Sequence, residues 1–256
     1  MRSYAKSNPE KDTIPRPKKT VVEKIVPLSE KIEDAGKNYK KEDGTLQPKS
    51  FFVIVSGGEV RERNYFQKIS NQDNFGRIKI EFIVDPKRLN PDGLLEIAKY
   101  KQERYKTSQK STPDRIFIVS DIDHFYNDLV RISPECKEKD ISLIISNPCF
   151  EIWLYYGKFT SKPKDFIPPK NHLEISKSFK TYLGKKVKGG VNPKKAIFDV
   201  REAIYNAKKN HEEDEKGIPK LFSTNMFVMV EEFLPLIKNE LRKLIAQNNK
   251  KRKNSP

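Results

Sequence analysis

The chain has 256 residues, with 51 Lys plus Arg against 35 Asp plus Glu and a formal net charge of +16. That surplus favours a nucleic-acid partner over an acidic membrane surface, because each phosphate met by a cation releases counterions. Two cysteines without C-x-x-C spacing and three scattered histidines argue against a disulfide framework, a zinc ribbon or a histidine-built catalytic cluster. No apolar run approaches the roughly 18 residues of a membrane span, and the N-terminus lacks the apolar core of a signal peptide, so a soluble cytoplasmic protein is expected.

Residues 1–48 are rich in Lys, Pro and polar residues, with one short apolar patch at 21–28, and are expected to be a flexible basic arm. Phe51-Phe52-Val53-Ile54-Val55 is a continuous apolar strand closed by Ser56-Gly57-Gly58, and a helix follows through Tyr65-Phe66 to Ile69. Residues 78–84 alternate before Asp85-Pro86, and Asn90-Pro91-Asp92 opens a helix with Leu94, Leu95, Ile97, Ala98 and Tyr105 on its apolar positions. Strands at 115–120 and 141–145 come next, the second running through Asn147-Pro148 into a helix with Phe150, Ile152, Trp153, Leu154 and Tyr156. Continuous apolar strands separated by helices predict an α/β core over 49–157, a mostly parallel sheet covered on both faces. Beyond residue 158 the strand signals stop. Helical periodicity at 172–183, 193–210 and 225–246 predicts a helical region over 158–247, kinked at Pro235, and 248–256 reads as a second basic tail.

The chemistry concentrates where strands end. In Ser120-Asp121-Ile122-Asp123, alternation sends both carboxylates to one face at the carboxyl end of a buried strand, where open α/β sheets bind ligands. Hard cations such as Mg²⁺ or Mn²⁺ are held by one or two such carboxylates plus substrate phosphate oxygens. Asp121 and Asp123 are therefore the candidate metal ligands. Glu59 and Glu62 follow the first strand and Glu151 the fourth, so a parallel sheet brings all these acids to one edge, as metal-assisted phosphodiester hydrolysis requires. Taken singly, Glu62 and Glu151 also suit a helix N-terminus. Lys180, Lys185, Lys186, Lys188, Lys194 and Lys195 surround Gly184 and Gly189-Gly190, a glycine-rich loop expected to face phosphates, with Tyr182 and Phe179 beside it. Trp153 reads as core.

The strings Ile54-Val55-Ser56-Gly57-Gly58-Glu59-Val60-Arg61-Glu62-Arg63-Asn64-Tyr65-Phe66, Phe117 to Asp123, and Ser146-Asn147-Pro148-Cys149-Phe150-Glu151-Ile152-Trp153-Leu154 resemble, in order and spacing, the RloB-like family. Phe222-Ser223-Thr224-Asn225 resembles its C-terminal signature. The resemblance implies a Toprim-like α/β core, Mg²⁺ at Asp121 and Asp123, Glu151 as third acid, and a place in bacterial restriction or abortive phage-defence loci beside an ABC/SMC-like or AAA ATPase. The usual Glu-Gly-Glu is replaced here: Gly57 stands at the first glutamate, so Glu59 or Glu62 must substitute for it or the acid is lost. Two readings follow. The first is a Mg²⁺-dependent nuclease acting on RNA, tRNA or DNA under control of the ATPase, and the second a non-catalytic module that senses nucleic acid or a phage product. A nucleotidyl transferase is disfavoured by the lack of a GxxxxGK[ST] loop. An exposed apolar helix in the C-terminal half would fit a homo-oligomer.

Overall fold

The apolar runs pair as parallel strands buried on both faces. In the computed structural model, which describes residues 50–70, 75–107 and 112–253, β1 (Ser50–Ser56), β2 (Ile78–Ile83), β3 (Arg115–Asp121) and β4 (Ile141–Asn147) lie parallel in the order β2-β1-β3-β4. The expected basic arm at 1–48 lies outside the described residues. Parallel neighbours need crossovers, supplied by the helices α1 (Arg61–Ser70), α2 (Pro91–Thr107) and α3 (Tyr126–Glu138).

Alternate side chains feed two cores. Phe52, Ile54, Phe117, Val119 and Ile144 face α1, with its Tyr65, Phe66 and Ile69. Phe51, Val53, Val55, Ile116, Ile118 and Ile141 face α2 and α3, meeting Leu94, Ile97, Ala98, Ile132 and Cys136. Each fully buried large apolar side chain stabilises by roughly 1.5–3 kcal/mol, which explains the lack of strict polar alternation in β1 and β3.

The helical remainder comprises α4 (Glu151–Tyr156), α5 (Ile175–Lys186), α6 (Pro193–Ala196), α7 (Val200–Asn210) and α8 (Met226–Lys253). The single helix expected over 193–210 is divided by a 3-10 turn at Ile197–Asp199. Asn192 caps α6 by accepting from the Lys194 amide at 3.0 Å. A two-residue strand, β5 (Ser223–Thr224), joins β4 antiparallel; it is too short for alternation to announce. Pro235 lies inside α8, whose helix continues into the expected basic tail as far as Lys253.

The helical region shares the α1 side of the sheet. Trp153, Phe179, Val200, Phe233, Ile237 and Leu241 join Phe52 and Phe117 in one buried cluster, and the Phe233 ring lies 4.8 Å from Phe52 and 5.8 Å from Phe117. The described residues form one compact unit. Among the described residues, no helix is long and apolar enough to cross a membrane.

Candidate acidic site at the sheet edge

The carboxyl ends of β1, β3 and β4 meet at one edge because the strands run parallel. The pleat that turns Phe117 and Val119 toward α1 gives Asp121 the same face. Asp121 Oδ1 accepts the Phe150 amide at 2.7 Å, tying β3 to the turn before α4. Glu151, the first residue of α4, is buried and meets Arg61 Nε at 3.0 Å and Lys180 Nζ at 3.8 Å. Arg61 and Lys180 are themselves half-exposed. Arg61 also donates to the Val191 carbonyl at 3.4 Å, linking α1 to the segment before α6.

Glu62, buried in the first turn of α1, completes the cluster. Its carboxylate folds back over Gly58: a Cβ built on Gly58 would lie 1.9 Å from Glu62 Cδ and 2.1 Å from Oε1. The missing side chain at Gly58 is what admits Glu62. Ser56 Oγ holds this turn by accepting the Gly58 amide at 3.1 Å. Gly57 is crowded in a different way, since a Cβ there would lie 3.2 Å from the Leu89 carbonyl oxygen. Its amide donates to Val119 O at 2.9 Å, extending the β1–β3 ladder by one residue.

The electrostatics reflect surplus negative charge. Burial first, then Glu62 and Glu151, push the Asp121 carboxyl well above the usual range, against smaller opposing effects of Lys180 and the Phe150 amide. Glu62 is raised as well, by burial and by Glu151, although its own amide and the Lys180 and Arg61 cations pull it down. Burial lowers Lys180, but Glu151, Cys149, Asp121 and Glu62 outweigh it and leave the ammonium above its ordinary value. The buried Cys149 thiol is pushed well up by burial and then by Glu151 and Asp121, which keeps it protonated. Asp121 and Glu62 make no ion pair among the described residues, while Glu151 has both cations.

A family model described as RloB-like protein matches residues 52–233 of the chain. The chain belongs to the RloB-like family. The match runs from β1 into α8 and contains the whole acidic cluster. No curated protein and no solved structure matches.

Within this RloB-like chain the other anticipated residues fall elsewhere. β3 ends at Asp121, and Asp123 sits beyond it in a turn at φ 35°, so strand alternation no longer sets its direction. The Asp123 carboxylate accepts from Ser176 Oγ at 3.3 Å and lies 3.8 Å from His124 Nδ1, apart from the charges that act on Asp121. Glu59 is exposed. Gly184 and Lys180 to Lys186 belong to α5 rather than to a loop, for an isolated glycine costs a helix only about 1 kcal/mol. Lys180 reaches the acids, and Lys186 pairs with Asp165 at 2.5 Å. Lys185, Lys188, Lys194 and Lys195 are exposed, with no ion pair among the described residues. Phe179 is core, and the Tyr182 hydroxyl donates to Asp165 at 2.6 Å. The residues that sequence reasoning passed over are Arg61 and Gly58; the signal was a cation beside Glu62 in the first turn of a helix that a glycine precedes. Among the described residues, no three His, Cys, Asp or Glu side chains are grouped to cage a metal unaided.

Proposed function

We propose that this chain is a metal-dependent nuclease of Toprim type whose centre is Glu62, Asp121 and Glu151. The observation that carries the reading is a set of three carboxylates at the carboxyl edge of a parallel sheet, Glu62 and Glu151 buried and Asp121 partly buried, with ion pairs at only one of them. The raised Asp121 and Glu62 carboxyls are what surplus buried charge produces, and a divalent cation relieves it. The donors fit Mg²⁺ or Mn²⁺: they are hard oxygens, and Mg²⁺ takes one or two carboxylates and completes its shell with water and phosphate oxygens. Bound there, the cation supplies Lewis-acid stabilisation of charge on the phosphate.

Asp121 is the carboxylate that would hold the metal, fixed in direction by the Phe150 amide. Glu62 takes the proton of the attacking water, a role for which a carboxylate made more basic by burial and by Glu151 is suited and one worth about 10²–10⁴ in rate. Arg61 and Lys180, anchored by Glu151, face the edge where charge develops on the phosphoryl oxygens. Hydrolysis by water needs no nucleophilic side chain, and the protonated Cys149 supplies none. The exposed lysines of 185–195 and the charge of +16 support a nucleic-acid substrate, RNA, tRNA or DNA. The defence loci of RloB-like proteins support control by a neighbouring ATPase.

One observation favours a second reading. Glu151 is already neutralised by two cations, as in a module that binds nucleic acid without turnover. Labelled total RNA, tRNA and plasmid DNA, incubated with the protein in Mg²⁺, Mn²⁺ or EDTA, with and without the neighbouring ATPase, separate the two. Metal-dependent products that vanish in Asp121→Asn establish the nuclease. Binding without products in every arm leaves the binding module.

A further inference from the structure

Beside the acidic edge lies a cavity of about 430 Å³, a size typical of small-molecule sites. Its walls are largely apolar, from Ile122, Pro148, Pro169 and Ile175, with the flat rings of Tyr126 and His172. Most polar groups there are already committed. The Tyr126 hydroxyl donates to Asp214 at 2.5 Å, the Asn147 amide to the Pro219 carbonyl at 2.8 Å, and Ser176 Oγ contacts the Pro148 carbonyl at 3.1 Å and Asp123 at 3.3 Å. The Asp123 carboxylate, one-third exposed, retains most of its roughly four acceptor sites.

We propose that this cavity is a subsite for an unpaired guanine base of the nucleic acid, read by Asp123; the polymer's identity rests on the nuclease reading above. An apolar slot ending in a carboxylate selects a flat group with two adjacent N–H donors. A guanidinium and the Watson–Crick edge of guanine, through N1–H and the N2 amino group, both fit that description. The net charge of +16 decides between them, since it repels a cationic peptide and attracts a polyanion. Adenine and cytosine place an acceptor beside their amino group, and uracil flanks its single imino donor with two acceptors, so each leaves an oxygen of Asp123 facing a lone pair. Extruded bases are read in this manner, by their Watson–Crick edge between apolar and aromatic side chains. The position is also suitable. Asp123 follows Asp121 by two residues, at most about 7 Å of chain, so a base held here leaves its backbone phosphate beside the acidic cluster.

The test is titration calorimetry of the full chain with GMP, IMP, AMP and UMP in EDTA, which removes any metal at Asp121 from the measurement. IMP lacks only the N2 amino group. GMP is expected to bind roughly 5- to 100-fold more tightly than IMP, the discrimination of a good bidentate contact. Asp123→Asn brings GMP to the level of IMP, and asparagine tolerates the left-handed backbone of this turn as aspartate does. His172→Ala, an exposed change, weakens all four nucleotides alike by removing a stacking face. Equal affinity for GMP and IMP in the unaltered protein, no binding of any mononucleotide at millimolar concentration, or tighter binding of an arginine-rich peptide than of GMP would each overturn the subsite. Cleavage without guanine selectivity removes the subsite alone, whereas guanine selectivity without cleavage removes the nuclease reading and keeps the subsite.

Discussion

The sheet carries two sets of buried charge, one on β2 and one at the ends of β1, β3 and β4, and they are built in opposite ways. On β2, Glu81 is met by Lys101 of α2 at 2.5 Å and by the Tyr105 hydroxyl, and both members of the ion pair are largely shielded from water. Each oxygen of the carboxylate has a partner. At the other site three acids share two half-exposed cations, both drawn to Glu151, and Asp121 and Glu62 rise in pKa. Buried charge alone therefore does not mark function. A balanced pair fastens a helix to a strand, whereas an unbalanced cluster holds a site ready for a cation or a proton.

Substitution at Asp121 sharpens the contrast most. Asp121→Asn is expected to lower metal-dependent cleavage by about 100-fold or more, measured as initial rates on the labelled substrates. The balanced site should fail in the other currency. Lys101→Met leaves Glu81 buried and unpaired and is expected to cost about 3–5 kcal/mol, read by urea denaturation, without changing the response to Mg²⁺. Asp121→Asn is expected to raise stability by about 1 kcal/mol, because it removes a desolvated charge that has no ion pair. If the two substitutions shift the denaturation midpoint in the same direction, the comparison is broken.

Gly58→Ala tests whether Glu62 belongs to the cluster. The added methyl takes the space of the carboxylate, so Glu62 swings out to solvent and cleavage falls by about 100-fold. The loss should match that of Glu62→Gln. The smallest effect is in pH. Asp121 and Glu62 are raised above their unfolded values of about 3.9 and 4.3, so the folded state holds their protons more tightly. The stability this contributes is full below about pH 4 and is lost as pH rises through the folded pKa values. Thermal melts of the unaltered protein should therefore decline with rising pH relative to the Asp121→Asn, Glu62→Gln double variant. Mg²⁺ should restore stability at neutral pH in the unaltered protein only, by binding the folded state.

Much of the architecture was legible because burial on both faces demands uninterrupted apolar strands. Phe51 to Val55 and Ile116 to Val119 leave no polar side, and in the structure neither run exposes one. That acids gather at one edge was legible for a related reason, since parallel strands bring their carboxyl ends together, but Glu59 was expected there beside Glu62 and is exposed. Less legible was everything that depended on where regular structure stops. Asp-x-Asp promised a shared face, yet β3 ends between the two carboxylates and the turn at Asp123 aims it into the neighbouring cavity. The lysines around Gly184 read as a loop, and α5 runs through them.

The order of apolar runs, breakers and acids is local information, so the sequence by itself determined an α/β sheet with carboxylates along one edge. Which glutamate enters the site was a tertiary decision. It depended on the space above Gly58, on Arg61 and Lys180 closing around Glu151 from α1 and α5, and on the Phe150 amide that orients Asp121. Gly58, Arg61 and Glu62 are near neighbours in the chain, but Asp121, the Phe150-Glu151 pair and Lys180 come from three other segments. Only close packing brings them within the few ångströms over which a charge or a hydrogen bond acts.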